Sequence, residues 1–345
     1  MATLTPKENI MRVLTGQIPE WVPSYSYYGP LPGVEHEPPP NMGVMMMQLF
    51  GEMREDGSFT DLFGVPYTAV EEVGGFSLPT PNEFILKDIT KWRDVVKIPE
   101  RLKDIDWKAA AEEAVKTLPY DREQVSVWWG PGGGYFMQLM NLMGFTEGLV
   151  AMYEEPDEVK ELFQFLFDFH MGIATQIIDI IKPDVMTFGD DAAAERAPFI
   201  SPEMYREFLI PFYRESSYLA VDRGLPINMH LCGKGDVFIP DLIRIGVNCW
   251  EPVQLANDIE GLQARYGRHL VIGGGWEGRG RLTELDVTDE EIRQSVRDSI
   301  DKYASNGGFM FAAAYTPMSR NDELTAHWNE VMQKEVYDYG HKFFK

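Results

Sequence analysis

A histidine, a cysteine and several acids carry most of the reactive chemistry in this sequence, and each follows a short apolar run. Residues 227–230 lead into His230-Leu231-Cys232-Gly233, and residues 185–189 into Gly189-Asp190-Asp191. Three more such runs end in Trp250-Glu251, in Gly274-Gly275-Trp276-Glu277 and in Ala314-Tyr315-Thr316. His230 can act as a general acid or base near neutral pH, or ligate a metal through a ring nitrogen. Asp190 and Asp191 are adjacent on an extended segment, so their side chains point in opposite directions; Asp191 is the one expected to face the reacting centre. Glu277 follows a glycine-rich stretch where backbone can approach a ligand closely. His230 and Cys232 are two residues apart at a strand-to-loop transition, a spacing at which both could reach one zinc ion if the chain turns. Cys249 could add a third ligand or be a small buried hydrophobe, and Asp191 and Glu195 are the acidic options.

Groups this far apart converge only if the runs before them are strands of one sheet. Residues 22–27, 65–70, 126–129, 185–189, 227–230, 247–250, 270–274 and 309–312 read as eight strands. From residue 126 onward each is followed by a helix-like stretch of the length a parallel crossover requires. Their number and order predict an α/β fold, a (β/α)8 TIM barrel in one domain over residues 1–345, with reacting groups at the C-terminal ends of the strands. Residues 1–21 are expected to form an N-terminal helical extension, opened by Thr5 as N-cap, Pro6 in the first turn and Glu8 as partner in a capping box. Thr288 and Glu291 repeat that signature, Pro156 opens a long amphipathic stretch, and residues 321–345 read as a closing helix. Residues 28–60 are rich in proline and are expected to form a lid or loop insertion.

Composition removes several classes of function. The chain of 345 residues carries 31 Lys and Arg against 54 Asp and Glu, a net charge of -23. Nucleic acid and anionic membranes need basic surfaces, so neither is an expected partner. With two cysteines, no run of about 18 apolar residues and no secretory signature in the first residues, a cytoplasmic location is expected. Three motif-like stretches are set aside on physical grounds. Gly273-x-Gly275-x-x-Gly278 is not followed directly by a helix, as a dinucleotide fingerprint requires. Asp168-x-His170 approaches a corrinoid-ligating pattern but has its glycine one place early and lies mid-helix, which makes His170 structural. Met45-Met46-Met47 suits adaptable packing.

Taken together, Gly189-Asp190-Asp191, the run Ser201-Pro202-Glu203-Met204-Tyr205-Arg206-Glu207-Phe208, Pro211 and His230-x-Cys232-Gly233 resemble the uroporphyrinogen decarboxylase superfamily. The resemblance is to its cobalamin-dependent methyltransferase branch and covers residues 120 to the C-terminus. It implies a (β/α)8 barrel. Decarboxylases of the superfamily grip a polyacidic tetrapyrrole with arginines on the first strand; here residues 23–30 contain none, so decarboxylation of such a substrate is rejected. Methyltransferases of the branch pass a methyl group between a small molecule and the cobalt of a corrinoid on a partner protein. In the thiol-methylating members His230 and Cys232 would correspond to two zinc ligands. Their third is a cysteine near the end of the last strand, where this chain reads Ala312-Ala313-Ala314-Tyr315. No metal is therefore expected, with His230 and Cys232 the ligands if zinc is present.

The resulting expectation is an O-demethylase methyltransferase acting on a methoxylated, guaiacol- or veratrole-like substrate. Its cofactor would be cobalamin, a corrinoid supplied by a partner protein. His230, Asp191 or Glu277 would protonate the leaving oxygen, and Trp129, Phe136, Trp276 and Tyr315 would form a flat slot for the ring. A homodimer is left open. The alternatives are a zinc-dependent methyltransferase for a thiol, methylamine or betaine, and a non-catalytic ligand-binding barrel.

Overall fold

The structure is a computed structural model that describes residues 4–25, 41–43, 54–70, 76–312, 315 and 323–345. Seven strands form one sheet in which every pairing is parallel. They are β1 (Asn41–Gly43), β5 (Ser126–Trp129), β6 (Val185–Gly189), β7 (Ile227–His230), β8 (Val247–Val253), β9 (Val271–Gly274) and β10 (Phe309–Phe311), lying side by side in that order. An eighth segment extends the row past β10: Ser24 bridges Phe311 in parallel, with Tyr25 N–H donating to Phe311 O at 2.9 Å and Phe311 N–H to Pro23 O at 2.8 Å. The ends of the row are thus residues 23–25 and β1, and residues 26–40 between them lie outside the described set. The architecture is α/β, a curled parallel sheet of the TIM-barrel class.

Parallel neighbours need crossovers, and helices supply them. The longest, Pro156–Ile181, returns the chain toward β6; Pro202–Phe208 with Ile210–Val221 leads to β7, Ile239–Arg244 to β8, Ile259–Tyr266 to β9 and Asp289–Tyr303 to β10. Both capping boxes expected from sequence are formed, Thr5 with Glu8 and Thr288 with Glu291. Strands covered on both faces are predominantly apolar, and β5 and β9 are buried at every residue. Helix Pro6–Leu14 plugs one end of the sheet's concave side. Its Ile10, Val13 and Leu14 pack with Trp128, Val185, Val271, Met310 and Cys249. Cys249 is therefore one of the apolar plug residues.

One expected strand belongs elsewhere. Residues 65–70 do not enter the barrel: β3 (Pro66–Val70) lies between β2 (Phe59–Thr60) and β4 (Phe76–Pro79) in a separate antiparallel sheet. Only residues 71–75 connect β3 to β4, far short of the dozen or so that a parallel crossover takes, so the pair must be antiparallel. The barrel's second strand is β1, within residues 28–60 that were read as lid or loop. The remainder of that stretch up to residue 53, with Met45-Met46-Met47, lies outside the described residues.

Candidate functional site

Sheet register assembles the site. His230, last residue of β7, pairs with Gly189 on one neighbouring strand and with Glu251 on the other. Backbone bonds lock the level: Asp190 N–H donates to His230 O and Leu231 N–H to Glu251 O, both at 3.0 Å. Above this level opens a cavity of about 360 Å³, lined by His230, Glu251, Tyr25, Thr187, Phe188 and the glycines 130, 132, 133 and 189. No lysine or arginine is among these described lining residues.

Glu251 is the residue that sequence reading passed over. It is 0% exposed, its Oε2 lies 3.2 Å from His230 Nδ1, and its Oε1 accepts from Asn228 Nδ2 at 2.8 Å. Asn228 also donates to Thr187 Oγ1 at 3.0 Å, which ties the carboxyl to two strands. Burial pushes Glu251 well above the usual carboxyl range. Burial also pushes His230 down, with the charge of Asp191 pulling the other way. Both shifts favour a neutral carboxyl–imidazole pair on the cavity wall.

With Nδ1 engaged by Glu251, the Nε2 of His230 turns to the other side. There it lies 3.5 Å from Cys232 Sγ and 3.9 Å from Asp191 Oδ1, and Asp191 Oδ1 accepts from Cys232 N–H at 2.8 Å. Among the described residues, Asp191, His230 and Cys232 are the group that could hold a metal ion: their donor atoms all lie within 4.8 Å of one another. A thiol, an imidazole and a carboxylate form a donor set suited to zinc. Burial, reinforced by Asp191, pushes the Cys232 thiol up to about 12.

Asp190 faces away from this group. It is buried, accepts from the backbone N–H groups of Phe136 and Met137 at 2.9 Å each, and accepts from the Tyr213 hydroxyl at 2.5 Å. It thereby caps helix Tyr135–Met143, whose own N-cap, Gly134, has no side chain to offer. Burial raises Asp190 to about 6 against the pull of those bonds.

The other expected residues lie apart. Glu277 accepts from Leu255 N–H at 3.0 Å and pairs with Arg279 at 3.0 Å, and it is not on the cavity wall. Arg279 also reaches Glu195, at 2.7 Å. Phe136 stacks on Phe199, while Trp276 packs edge-on to Tyr315, which in turn meets Trp328. Trp129 is buried in the main core. These four rings form no single slot, and the rings on the wall are Tyr25 and Phe188. His170 lies mid-helix in Pro156–Ile181, and its ring packs so closely beneath Gly132 that a Cβ there would sit 2.5 Å from Nδ1. The glycine-rich turn after β9 leads only to the short 3-10 turn Gly280–Thr283, which rules out a helix end for a pyrophosphate.

Residues 79–331 match the uroporphyrinogen decarboxylase (URO-D) family. Among solved structures the chain is similar to a methyltransferase from Methanosarcina mazei, at 13% identity and TM-score 0.62, covering 97% of this chain and 99% of that one. It also matches 3-keto-L-gulonate-6-phosphate decarboxylase from Vibrio cholerae at 8% identity and TM-score 0.28, covering 66% and 79% of the two chains. No curated protein matches the sequence.

Proposed function

The chain belongs to the uroporphyrinogen decarboxylase family, and from that premise we propose that it is a methyltransferase that takes a methyl group from a methoxylated, preferably aromatic, compound and passes it to the cobalt of a corrinoid on a partner protein. What carries the proposal is the cavity wall: it pairs His230 with Glu251, whose shifts down and up favour the neutral imidazole and the neutral carboxyl, and it offers no lysine or arginine among its described residues. A polyacidic tetrapyrrole would meet no counter-ion on the described wall, whereas a neutral ether has no charge to leave unpaired there. The full-length likeness of fold to a methyltransferase supports the same choice of reaction.

In the proposed reaction the electron pair of reduced cobalt forms the new bond to the methyl carbon. The pair of the breaking C–O bond stays on oxygen, which takes up one proton. An aryl oxide leaves slowly unless its developing charge is met as the bond breaks, and such assistance is typically worth roughly 10²- to 10⁴-fold. His230 is the wall residue that would give that oxygen its proton from a ring N–H, and Glu251 would orient the ring and return a proton to it from its carboxyl. Tyr25 and Phe188 would bound the ring of the substrate, against the flat backbone of Gly130, Gly132 and Gly133.

The test mixes the protein with chemically reduced cobalamin and a panel of methyl donors, while the cobalt spectrum is followed. Conversion to methylcobalt with aryl methyl ethers, and none with a methylamine, betaine or methyl thioether, is the expected result. Transfer from a thioether or amine alone would replace the proposed substrate class, and tight ether binding without any transfer would favour a binding protein.

A further inference from the structure

We propose that Gly189 is the specificity-determining residue of the cavity: its missing side chain leaves, beside His230, the place that the aromatic ring of the substrate takes. The inference rests on the reading of the cavity as a site for an aryl methyl ether and names the residue that admits the ring. Ring binding is measured without cobalt or methyl transfer, so the two readings can fail separately.

Among the described residues four glycines line the cavity, and the fold itself demands three of them. A Cβ on Gly130 would lie 1.9 Å from the carbonyl oxygen of Thr187, so that glycine is required by the close approach of its backbone to β6. Gly132 and Gly133 have φ of 88° and 121°, where side chains are strained, and Gly132 also lies against the His170 ring. Gly189 is under neither constraint. Its φ lies outside the left-handed region, and among the described residues the nearest atom to a Cβ built on it is His230 Cβ, at 3.7 Å, an ordinary contact.

A glycine in a strand weakens it, and such a residue marks a bulge, a bend or a place where a ligand or another backbone comes close. The register of β6 against β7 runs without a shift from Met186–Ile227 to Gly189–His230, so there is no bulge. Asp190 N–H continues the ladder to His230 O at 3.0 Å, so the chain does not bend away at Gly189. A Cβ at 189 would meet no backbone. What remains is the ligand. Gly189 lines the cavity and pairs with His230, so atoms added at 189 would stand in the cavity at the foot of the imidazole. The cavity of about 360 Å³ is near the low end of the range for small-molecule sites, about 300–1,000 Å³. A side chain at 189 and a substrate ring therefore compete for the same space. The bare strand lets a ring, and not only a small aliphatic ether, come level with the histidine.

The experiment measures guaiacol binding by calorimetry, and kcat/KM for methyl transfer to reduced cobalamin from guaiacol and from methoxyethanol. It compares the unaltered full chain with Gly189→Ala, Gly189→Val and a control, Gly172→Ala, a helix glycine with no described atom within 4 Å of a Cβ built on it. One methylene in a tight pocket typically changes discrimination by about 10- to 200-fold. Guaiacol affinity should therefore fall by about tenfold or more in Gly189→Val and by a smaller factor in Gly189→Ala, and stay unchanged in Gly172→Ala. The ratio of kcat/KM for guaiacol to that for methoxyethanol should fall in the same order. The thermal midpoint of Gly189→Ala should equal or exceed that of the unaltered chain, because alanine loses less backbone freedom on folding. That readout separates space kept for a ligand from a glycine that the fold needs. Gly189→Ala carries the test alone if valine impairs folding, which circular dichroism checks. An unaltered chain that does not bind guaiacol, unchanged affinity in the folded variants, or a lowered midpoint in Gly189→Ala overturns the inference. Binding weakened by the substitutions, with no methyl transfer from any ether, would sustain the ring site and overturn the reaction; transfer from guaiacol at an unchanged kcat/KM in both variants would do the reverse.

Discussion

His230 is held on both ring nitrogens' sides, by Glu251 at Nδ1 and by Cys232 and Asp191 facing Nε2, so its direction is set before any ligand arrives. Preorganisation of this kind is what lets a single group act without first paying to order itself. Replacing His230 with alanine should leave the fold intact, because the ring is 31% exposed and fills no core. Methyl transfer should fall by at least about 10²-fold, the low end of what such assistance contributes. A single-turnover rate unchanged by His230→Ala would remove the residue from the mechanism. His170 shows the contrasting role. Burial beneath Gly132 lowers it from 6.5 to about 4, so the folded chain resists the proton that the unfolded chain accepts readily. Its neutral form is accommodated fully above pH 6.5, and stability is lost as pH falls from there toward 4. The interval corresponds to about 3 kcal/mol at about 1.4 kcal/mol per pH unit. Denaturant unfolding at pH 7 and pH 4 should therefore show the unaltered protein losing about that much more than His170→Gln. Parallel losses in the two proteins would contradict it.

At the scale of elements, Asp190 links the end of β6 to the start of helix Tyr135–Met143 and so ties the glycine-rich wall of the cavity to the strand that carries the candidate ligand Asp191. Two backbone N–H groups and a tyrosine hydroxyl depend on its two oxygens. Asparagine keeps one oxygen and turns an N–H₂ group on the remaining donors, so Asp190→Asn should destabilise by about 1–3 kcal/mol. The same substitution should lower methyl transfer by displacing the glycine wall; a variant of undiminished stability would show that the cap is dispensable. No sequence pattern signals this cap, because Asp190 and Phe136 are 54 positions apart. The later strands, by contrast, were legible: β5 through β10 are predominantly apolar runs separated by stretches of helical length, and β5, β9 and β10 are buried at every residue. β1 was not, since Asn41–Gly43 is three residues with a single large apolar side chain, Met42, directly after three prolines. The same division holds within the site. His230, Cys232 and Asp191 stand out because polar residues end apolar strands. Glu251 directly follows the apolar run 247–250 too, yet it lies within β8, and only the register of β7 against β8 puts it beside His230. Aromatic residues mislead for the opposite reason: Trp129, Phe136, Trp276 and Tyr315 have the chemistry of a ring-binding slot, yet ring burial is as well served by the core, which is where they pack.

Across the whole molecule the dominant feature is its charge, 54 acidic against 31 basic side chains. Many of the basic groups are already committed to neighbours: Arg281 joins Glu284, Asp286 and Glu291, Arg297 joins Glu290 and Glu335, and Arg93 joins Glu158 and Glu161. Such contact pairs cancel locally and leave a net negative field outside. An anionic small molecule approaching the cavity is repelled by that field, and no lysine or arginine on the described wall compensates on arrival. A neutral ether feels neither effect. For a pair of otherwise similar aryl methyl ethers, one neutral and one carrying a carboxylate, kcat/KM should favour the neutral compound at low ionic strength. The Debye length shrinks from about 30 Å at 0.01 M salt to about 8 Å at 0.15 M, so the long-range part of that preference should narrow as salt is added. The contribution from the uncompensated wall should persist, because screening reaches a buried site poorly. Measuring the ratio across that salt range separates the two: a narrowing ratio that levels above one is expected, and a preference for the carboxylate at any salt would mean that a cation outside the described residues meets the substrate.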